Sequence, residues 1–501
     1  MRVDSPADLD AAAVVRVADG EPVSLSDGLL ERLAASRAAT LAALASGTRV
    51  YGVNTGMGAQ ASLAVGTGEQ AAFQGDLVLA RAVGTAPWLD RRTVRAVVAV
   101  RLRTLLEPEA GVSPALAVAL AALLDPDVRP DARPAVPATG NGAAGEIIPL
   151  AHLGGYLTGR TSGVDGSVHP APYAFATKEG VAFLQGVPVA TALAVLLADE
   201  ARLALAQQLA VVAGEVARTR APRDPYHPAL ARGDAEHARV LQALRDLAGP
   251  EPSPRLLQAP VSFRVSGPAL AHLLRSLERL DDAAERVLVG VTTSPALVDG
   301  GFVGTAGFDG FDLAATLDAT RVGLLHAAET GAARLHRMLD PRVSGRASQL
   351  SPEPGRHAGL VAVHKRVVGL LHEARRGSAP ASLGAVETSQ GQEDVQSFGL
   401  EAARAAHDAL DVLRDVTACE LLALHQARLL DAEHTQGTAE GAAYGSERLR
   451  MVLRKASEHL STTPHDRVLG REVAALLELL RVGWAHDVLD PDRPLPSRPP
   501  H

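Results

Sequence analysis

Tyr51 stands in RVYGVNTGMGAQ (49–60), a loop whose glycines let the backbone turn tightly and come close to a ligand. A phenol in such a loop is a candidate proton donor or acceptor, and a plain turn residue is the competing reading. Arg264, in LQAPVSFRV (257–265), carries a guanidinium fork that matches a carboxylate. It follows a strand-like segment and precedes a helix cap, where a surface ion pair is the ordinary use of arginine. In SQGQEDVQSFG (389–399), Glu393 and Asp394 are expected at the start of a long helix. A helix dipole favours acids there, so a capping cluster explains that motif taken alone. His357, His364 and His372 are expected to share one face of a helix; the charged neighbours HKRVV and HEARR mark that face as solvated. No His-Glu-x-x-His, paired-cysteine or calcium-loop pattern occurs, so no metal is expected.

The stretch ATGNGAAGEIIPLAHLGG (138–155) contains Gly140, Gly142 and Gly145 in a G-x-G-x-x-G arrangement, with Asp165 20 residues beyond. A dinucleotide loop of this kind must leave a buried strand and open a helix. The preceding DPDVRPDARPAVPAT holds four prolines and cannot be a central strand. The following EIIPLAHLGGYL does read as a helix opening, with Pro149 tolerated in its first turn. Half of the required context is missing, which sets the phosphate-cradle reading aside.

These residues need a scaffold. The chain has 501 residues, 47% hydrophobic and only 3% aromatic, and a core rich in Ala and Leu is a helical core. The net charge is −8 and no long Lys/Arg run occurs, which argues against a nucleic-acid partner. The single Cys419 excludes an intrachain disulfide and is expected to be a buried, inert thiol. The start, MRVDSPADLDAAAVV, lacks the basic opening of a signal peptide. The run VPVATALAVLLA ends at Asp199 and reads as too short to span a bilayer. A cytoplasmic protein without a membrane partner is the expectation.

The fold class read from these patterns is mainly α: a long-helix bundle with a smaller mixed N-terminal part. A mixed helix/loop domain is expected over 1–186, a bundle over 187–490 and a Pro-rich tail over 491–501. Helices are predicted over about 188–219, 268–288, 312–339 and 398–430. In the second, Leu270, Leu273, Leu274, Leu277, Ala284 and Val287 line one face, with Ser266 as the expected N-cap.

The order and spacing of the motifs say more than any one of them. VYGVNTGMG near 50, GNGAAGEIIPLAHLGG, TKEGVAFLQG (177–186), QAPVSFR and QEDVQSFG near 395 together resemble the aromatic amino-acid lyase family. That family comprises histidine, phenylalanine and tyrosine ammonia-lyases and related aminomutases. The likeness runs from about 25 to 430. It implies the ammonia-lyase type of helical bundle and a homotetramer with sites shared between three subunits. It also implies that Tyr51 is the base, that Arg264 grips a substrate carboxylate, and that Glu393 lies near the substrate amine. Asn54, Gln185, Phe308 and Gln392 are carried over as substrate-binding positions.

The family's electrophile, methylidene-imidazolone, forms from an Ala-Ser-Gly triad. Here the triad is Ala143, Ala144 and Gly145, and Ala144 stands where the serine belongs. A methyl has no leaving group to lose as water, so no methylidene-imidazolone and no other cofactor is expected. Other positions depart too: Gln185 replaces an Asn, Val261 a Tyr, Val289 and Gly290 an Asn-Ser pair, Gly307 an Asn and Asp309 a His. Three functions stay open. One is an electrophile-independent enzyme carrying out elimination, addition, isomerisation or cyclisation on a small carboxylate or acyl substrate, with Tyr51 as acid/base. The others are a non-catalytic binding or structural subunit, and an ammonia-lyase inactivated by an engineered Ser-to-Ala change. Loss of polar neighbours at 261 and 307 argues against histidine as substrate.

Overall fold

The computed structural model describes residues 1–125, 133–434 and 444–489. Helices dominate, and the strands among the described residues form two short two-stranded ladders. Arg2–Val3 pairs in parallel with Ser24–Leu25, and Ala296–Val298 pairs antiparallel with Gly301–Val303. Among the described residues no strand leads directly into the Gly140–Gly145 loop, and none supplies a βαβ unit for a dinucleotide fingerprint.

Side-chain contacts at the helix starts follow the sequence. Asp10, Ser26, Asp90 and Ser113 each accept a backbone N–H from the first turn of their helices, and Pro114 opens the helix after Ser113. The long rods are Pro188–Thr219, Ser266–Val289, Phe311–Met338 and Gly399–His434. The predicted stripe on Ser266–Val289 is buried at Leu270, Leu273, Leu274, Leu277 and Ala284, and Leu288 rather than Val287 completes it. Ser266 lies inside this helix instead of capping it: its hydroxyl donates back to the Ser262 carbonyl at 2.9 Å.

Packing divides the chain into two compact units. The first comprises Met1–Ala198, Arg279–Asp318 and Pro380–Ala405; the second comprises Asp199–Glu278, Ala319–Ala379 and Ala406–His501. The sequence pattern changes near 187 because the Pro188–Thr219 helix begins there, and that helix supplies residues to both units. The tail expected at 491–501 lies outside the described residues.

Inside the second unit, Arg334 bridges two carboxylates, Glu215 and Glu420, each at 2.8 Å, and donates to the Ser266 hydroxyl at 3.0 Å. All three charged groups are shut off from water. Burial pushes the carboxyls of Glu215 and Glu420 upward, and the guanidinium pulls both back.

Several local expectations are corrected. Val261–Arg264 is a short helix rather than a strand-like segment. The helix predicted from about 398 begins at Gly399, so Glu393 and Asp394 lie in the loop before it and not in its first turn; Thr388 and Glu393 close that loop by a 2.7 Å backbone bond. His357 lies outside the Val361–Arg376 helix, so the three histidines do not share one helical face; the His364 ring packs on His336 instead. Residues 179–219 are long and apolar enough by composition to cross a membrane, contrary to the short-run reading, and their most apolar 18-residue window is wholly buried within the protein, as in a core helix. Cys419 is buried, and burial pushes its thiol up to about 12.

Candidate active site

The 138–155 stretch is a loop that opens the helix Ile147–Leu157. Its geometry is set by buried polar contacts, all within the first unit. The Asn141 side chain donates to the Gly145 carbonyl at 2.8 Å and accepts from the Ile148 N–H at 3.4 Å. The Glu146 carboxylate accepts the N–H groups of Val189 and Ala190, the latter at 2.7 Å, at the N-terminus of the Pro188–Thr219 helix. That is where a helix presents unpaired donors and a favourable dipole. Burial nonetheless pushes the Glu146 carboxyl up to about 8, and the two N–H donors only partly oppose it.

Between these anchors Ala144 and Gly145 line a cavity of about 600 Å³. The Ala144 N–H donates to Glu393 Oε2 at 3.0 Å. The other oxygen, Oε1, is 3.4 Å from the Ser389 hydroxyl. Tyr51 lines the same cavity, and its phenol oxygen accepts the Gly58 N–H at 2.7 Å. Burial raises the Tyr51 phenol above its ordinary value. The Gly58 donor opposes this, the Glu393 charge adds to it and the Arg81 charge opposes it. Tyr51 is therefore a neutral phenol at pH 7, although both stabilisers of a phenolate, a backbone donor and a cation, are present.

Of the residues expected to act together, Tyr51, Ala144, Gly145, Gln185, Phe308, Gln392 and Glu393 surround this one cavity. Two do not. Asn54 is spent on its own loop: its amide oxygen accepts from Val50 N at 2.7 Å and its amide nitrogen donates to the Thr48 carbonyl at 2.8 Å. Arg264 belongs to the second unit and is not a lining residue. The cavity also takes in Asp309 and Asp394, and Arg49, which the sequence did not single out. Arg81, felt electrostatically by both Tyr51 and Glu393, lies just past the helix Gln70–Leu79, and no motif marks it in the sequence. Gly307 is close-packed: a methyl group added there would overlap the Val291 carbonyl. Among the described residues, no cluster of three or more His, Cys, Asp or Glu side chains is disposed to hold a metal ion.

A bundle of long helices with a tyrosine loop, a Gly-rich helix opening and a glutamate loop around one cavity defines a lyase-type scaffold. Residues 9–450 match the model of the aromatic amino acid lyases, and the chain belongs to that family. It is 31% identical to the histidine ammonia-lyase of Gloeobacter violaceus and 30% identical to that of Deinococcus radiodurans, with 95% of this chain and 94% of each relative covered. Among solved structures it is similar to the tyrosine aminomutase of Streptomyces globisporus, with a TM-score of 0.89 at 22% identity over 98% of this chain and all of that one. It is also similar to the ergothioneine-degrading enzyme ergothionase of Treponema denticola, with a TM-score of 0.85 at 19% identity over 96% and 98% of the two chains.

Proposed function

We propose that this protein is a cytoplasmic enzyme that keeps the lyase cavity and works without methylidene-imidazolone. It carries out elimination, addition, isomerisation or cyclisation on a small carboxylate or acyl substrate. The observation that carries the reading is Ala144, a residue with no hydroxyl to lose, lining a cavity that still contains Tyr51, Gln185, Gln392 and Glu393. The 143–145 segment does not fit the family's electrophile, because the exocyclic carbon–carbon double bond requires loss of water from residue 144. No step is routed through that group.

Expelling ammonia from an unactivated amino acid needs strong electrophilic help. A substrate with a better leaving group or a more acidic C–H does not. In this reading Tyr51 moves the proton, and the phenolate formed is steadied by the Gly58 N–H and the Arg81 charge. Glu393 holds a charge beside residue 144 and the reacting carbon. Arg264 serves a carboxylate in a homotetramer with shared sites, and Arg49 is the cation on the cavity's own wall. The fold likeness to enzymes of different reactions, an aminomutase and an ergothionase, supports a scaffold on which the chemistry varies.

The test begins with the wild-type chain and histidine, tyrosine and phenylalanine. No ammonia and no absorbance of an unsaturated acid are expected; either one would overturn the argument from Ala144. Untargeted metabolite profiling with and without the protein then finds the substrate, and Tyr51→Phe is expected to reduce its turnover at least a hundredfold. Unchanged turnover in that variant would remove Tyr51 from the mechanism.

A further inference from the structure

A second pocket, of about 490 Å³, lies wholly within the second unit and has no place in the chemistry above. Among the described residues, five arginines line it, Arg218, Arg220, Arg223, Arg255 and Arg346, against a single carboxylate, Asp431. So high a ratio of cations to anions is costly in a folded protein unless something neutralises it.

Local structure accounts for part of the set. Arg218 donates to Asp431 Oδ1 at 3.0 Å and to the Ser344 carbonyl at 3.0 Å, and Arg346 pairs with the same Asp431 oxygen. Arg223 covers the end of the Pro188–Thr219 helix, donating to the carbonyls of Val216, Ala221 and Ala248. Arg220 is held on the Ser253 carbonyl. These contacts fix the guanidinium groups in place, yet apart from Asp431 their partners are neutral carbonyls. Among the described residues, one full negative charge therefore meets five positive ones around the pocket. The nearby Glu251 accepts the Arg223 backbone N–H at 3.0 Å, and Arg245 stands beside it, so that pair leaves the balance unchanged.

Two further observations point to a ligand. Arg218 and Arg223 are 4% and 2% exposed, and their Nε–H groups, like that of Arg346, are shielded from water and donate to nothing among the described residues. Arg255 has no hydrogen-bond or ion-pair partner for its guanidinium among the described residues, though it is not loose. It lies against Gly345, which has φ of 66° and closes the Pro341–Ser344 helix; a methyl group there would overlap the guanidinium. A glycine at this position thus makes a seat for Arg255 beside Arg346. The Tyr444 ring lies 5.0 Å from the Arg218 guanidinium carbon and forms an apolar wall.

We infer that this pocket is a binding site for a phosphate-bearing small molecule carrying at least two negative charges. Several fixed guanidinium groups suit the many oxygens of a phosphate or diphosphate, whereas a lone carboxylate would leave most of the positive charge unmet. The volume falls in the ordinary range for small-molecule sites, roughly 300–1,000 Å³.

The experiment uses the full-length protein, isothermal titration and thermal melting at constant ionic strength, with pyrophosphate, inorganic phosphate, adenosine diphosphate and citrate as probes. Saturable binding of pyrophosphate or adenosine diphosphate at one site per chain is expected, with a melting temperature that rises with probe concentration. Arg255→Glu, at an exposed position outside the lyase cavity, is expected to weaken binding at least tenfold, and Arg255→Lys to hold it within a few-fold. Absence of saturable binding by both pyrophosphate and adenosine diphosphate would overturn the inference. So would unchanged affinity in Arg255→Glu. Citrate binding as tightly as pyrophosphate would overturn the assignment to phosphate. If Arg255→Glu fails to fold, Arg255→Gln takes its place with the same expected loss.

Discussion

Ala144 and Glu393, 249 positions apart in sequence, are joined by a 3.0 Å hydrogen bond from the alanine N–H to the glutamate Oε2. The bond fixes a carboxylate beside the one residue at which this chain departs from the family's electrophile triad. Glu393→Gln keeps an oxygen able to accept the Ala144 N–H and removes only the charge. We expect its turnover of the identified substrate to fall about 10²-fold with little change in melting temperature. Equal activity in the two proteins would reduce Glu393 to a loop anchor.

Intact mass measures what the triad can still do. The wild-type chain is expected to show no double dehydration. Ala144→Ser restores the missing hydroxyl but not the family's residues at Gln185, Gly307 and Asp309, so this variant too is expected to keep its full mass. Loss of two waters from the serine variant would mean that the scaffold still cyclises and that the alanine is a recent or introduced change.

The Tyr51 phenol is raised by burial, so its ionisation belongs above the ordinary phenol range near 10. Where the phenolate is the working base, kcat/KM should climb with pH into that alkaline range, and Tyr51→Phe should abolish the climb. A rise that is complete near neutrality would be incompatible with this tyrosine as the base. The sign for stability follows from the same shift. A folded-state value above the unfolded one contributes stability that is present below about pH 10 and lost as the pH rises through the folded value. Absorbance titration of wild type against Tyr51→Phe, which removes one of five tyrosines, identifies the step.

Glu146 gives a second pH dependence. Its carboxyl is raised from 4.5 to about 8 in the folded chain, so its contribution to stability is complete below about pH 4.5 and is lost as pH rises through about 8. Glu146→Gln should flatten that part of the stability profile. It should also cost about 1–3 kcal/mol, because an amide nitrogen would face one of the two N–H donors at Val189 and Ala190. Urea unfolding across pH 5–9 checks both effects, and an equally steep profile in the variant would assign the titration to another group.

Arg334→Ala would leave Glu215 and Glu420 facing each other without their bridge. A loss of roughly 3–5 kcal/mol is expected from chemical denaturation, the usual consequence of removing one partner from a buried ion cluster. A change under about 1 kcal/mol would mean that the carboxyls take up a proton and tolerate one another.

The rods were legible in the sequence because a buried stripe repeats at 3.6 residues and needs no knowledge of its neighbours. Leu313, Leu317, Leu324, Ala328, Leu335 and Met338 are all buried as their spacing predicts. The cavity was legible through motif order, which brought out Tyr51, Gln185, Phe308, Gln392 and Glu393. Failures fell where local chemistry was decided by contacts distant in sequence or by loop closure. Asn54 had the right residue type, but its own loop consumed its amide. Glu393 read as a helix-cap acid, but the Thr388–Glu393 bridge holds it in the loop ahead of the helix that starts at Gly399. Arg81 carries no motif at all, since its influence on Tyr51 is a matter of placement. The arginine pocket is assembled from separated stretches around 218–223, 255, 346 and 431, and no window of sequence shows that excess of charge.

The threading of the two units has a consequence for how the chain comes off the ribosome. The first unit draws on Met1–Ala198, Arg279–Asp318 and Pro380–Ala405, so its final segment, the one bearing Glu393, is made only after most of the second unit's sequence. Folding cannot proceed as two successive domains, and no single cut in the polypeptide yields either unit whole. During synthesis the Ala144 turn must wait 249 residues for its glutamate, and the Tyr51 loop longer still. A nascent chain halted short of 393 would present an open lyase cavity to the cell's quality control.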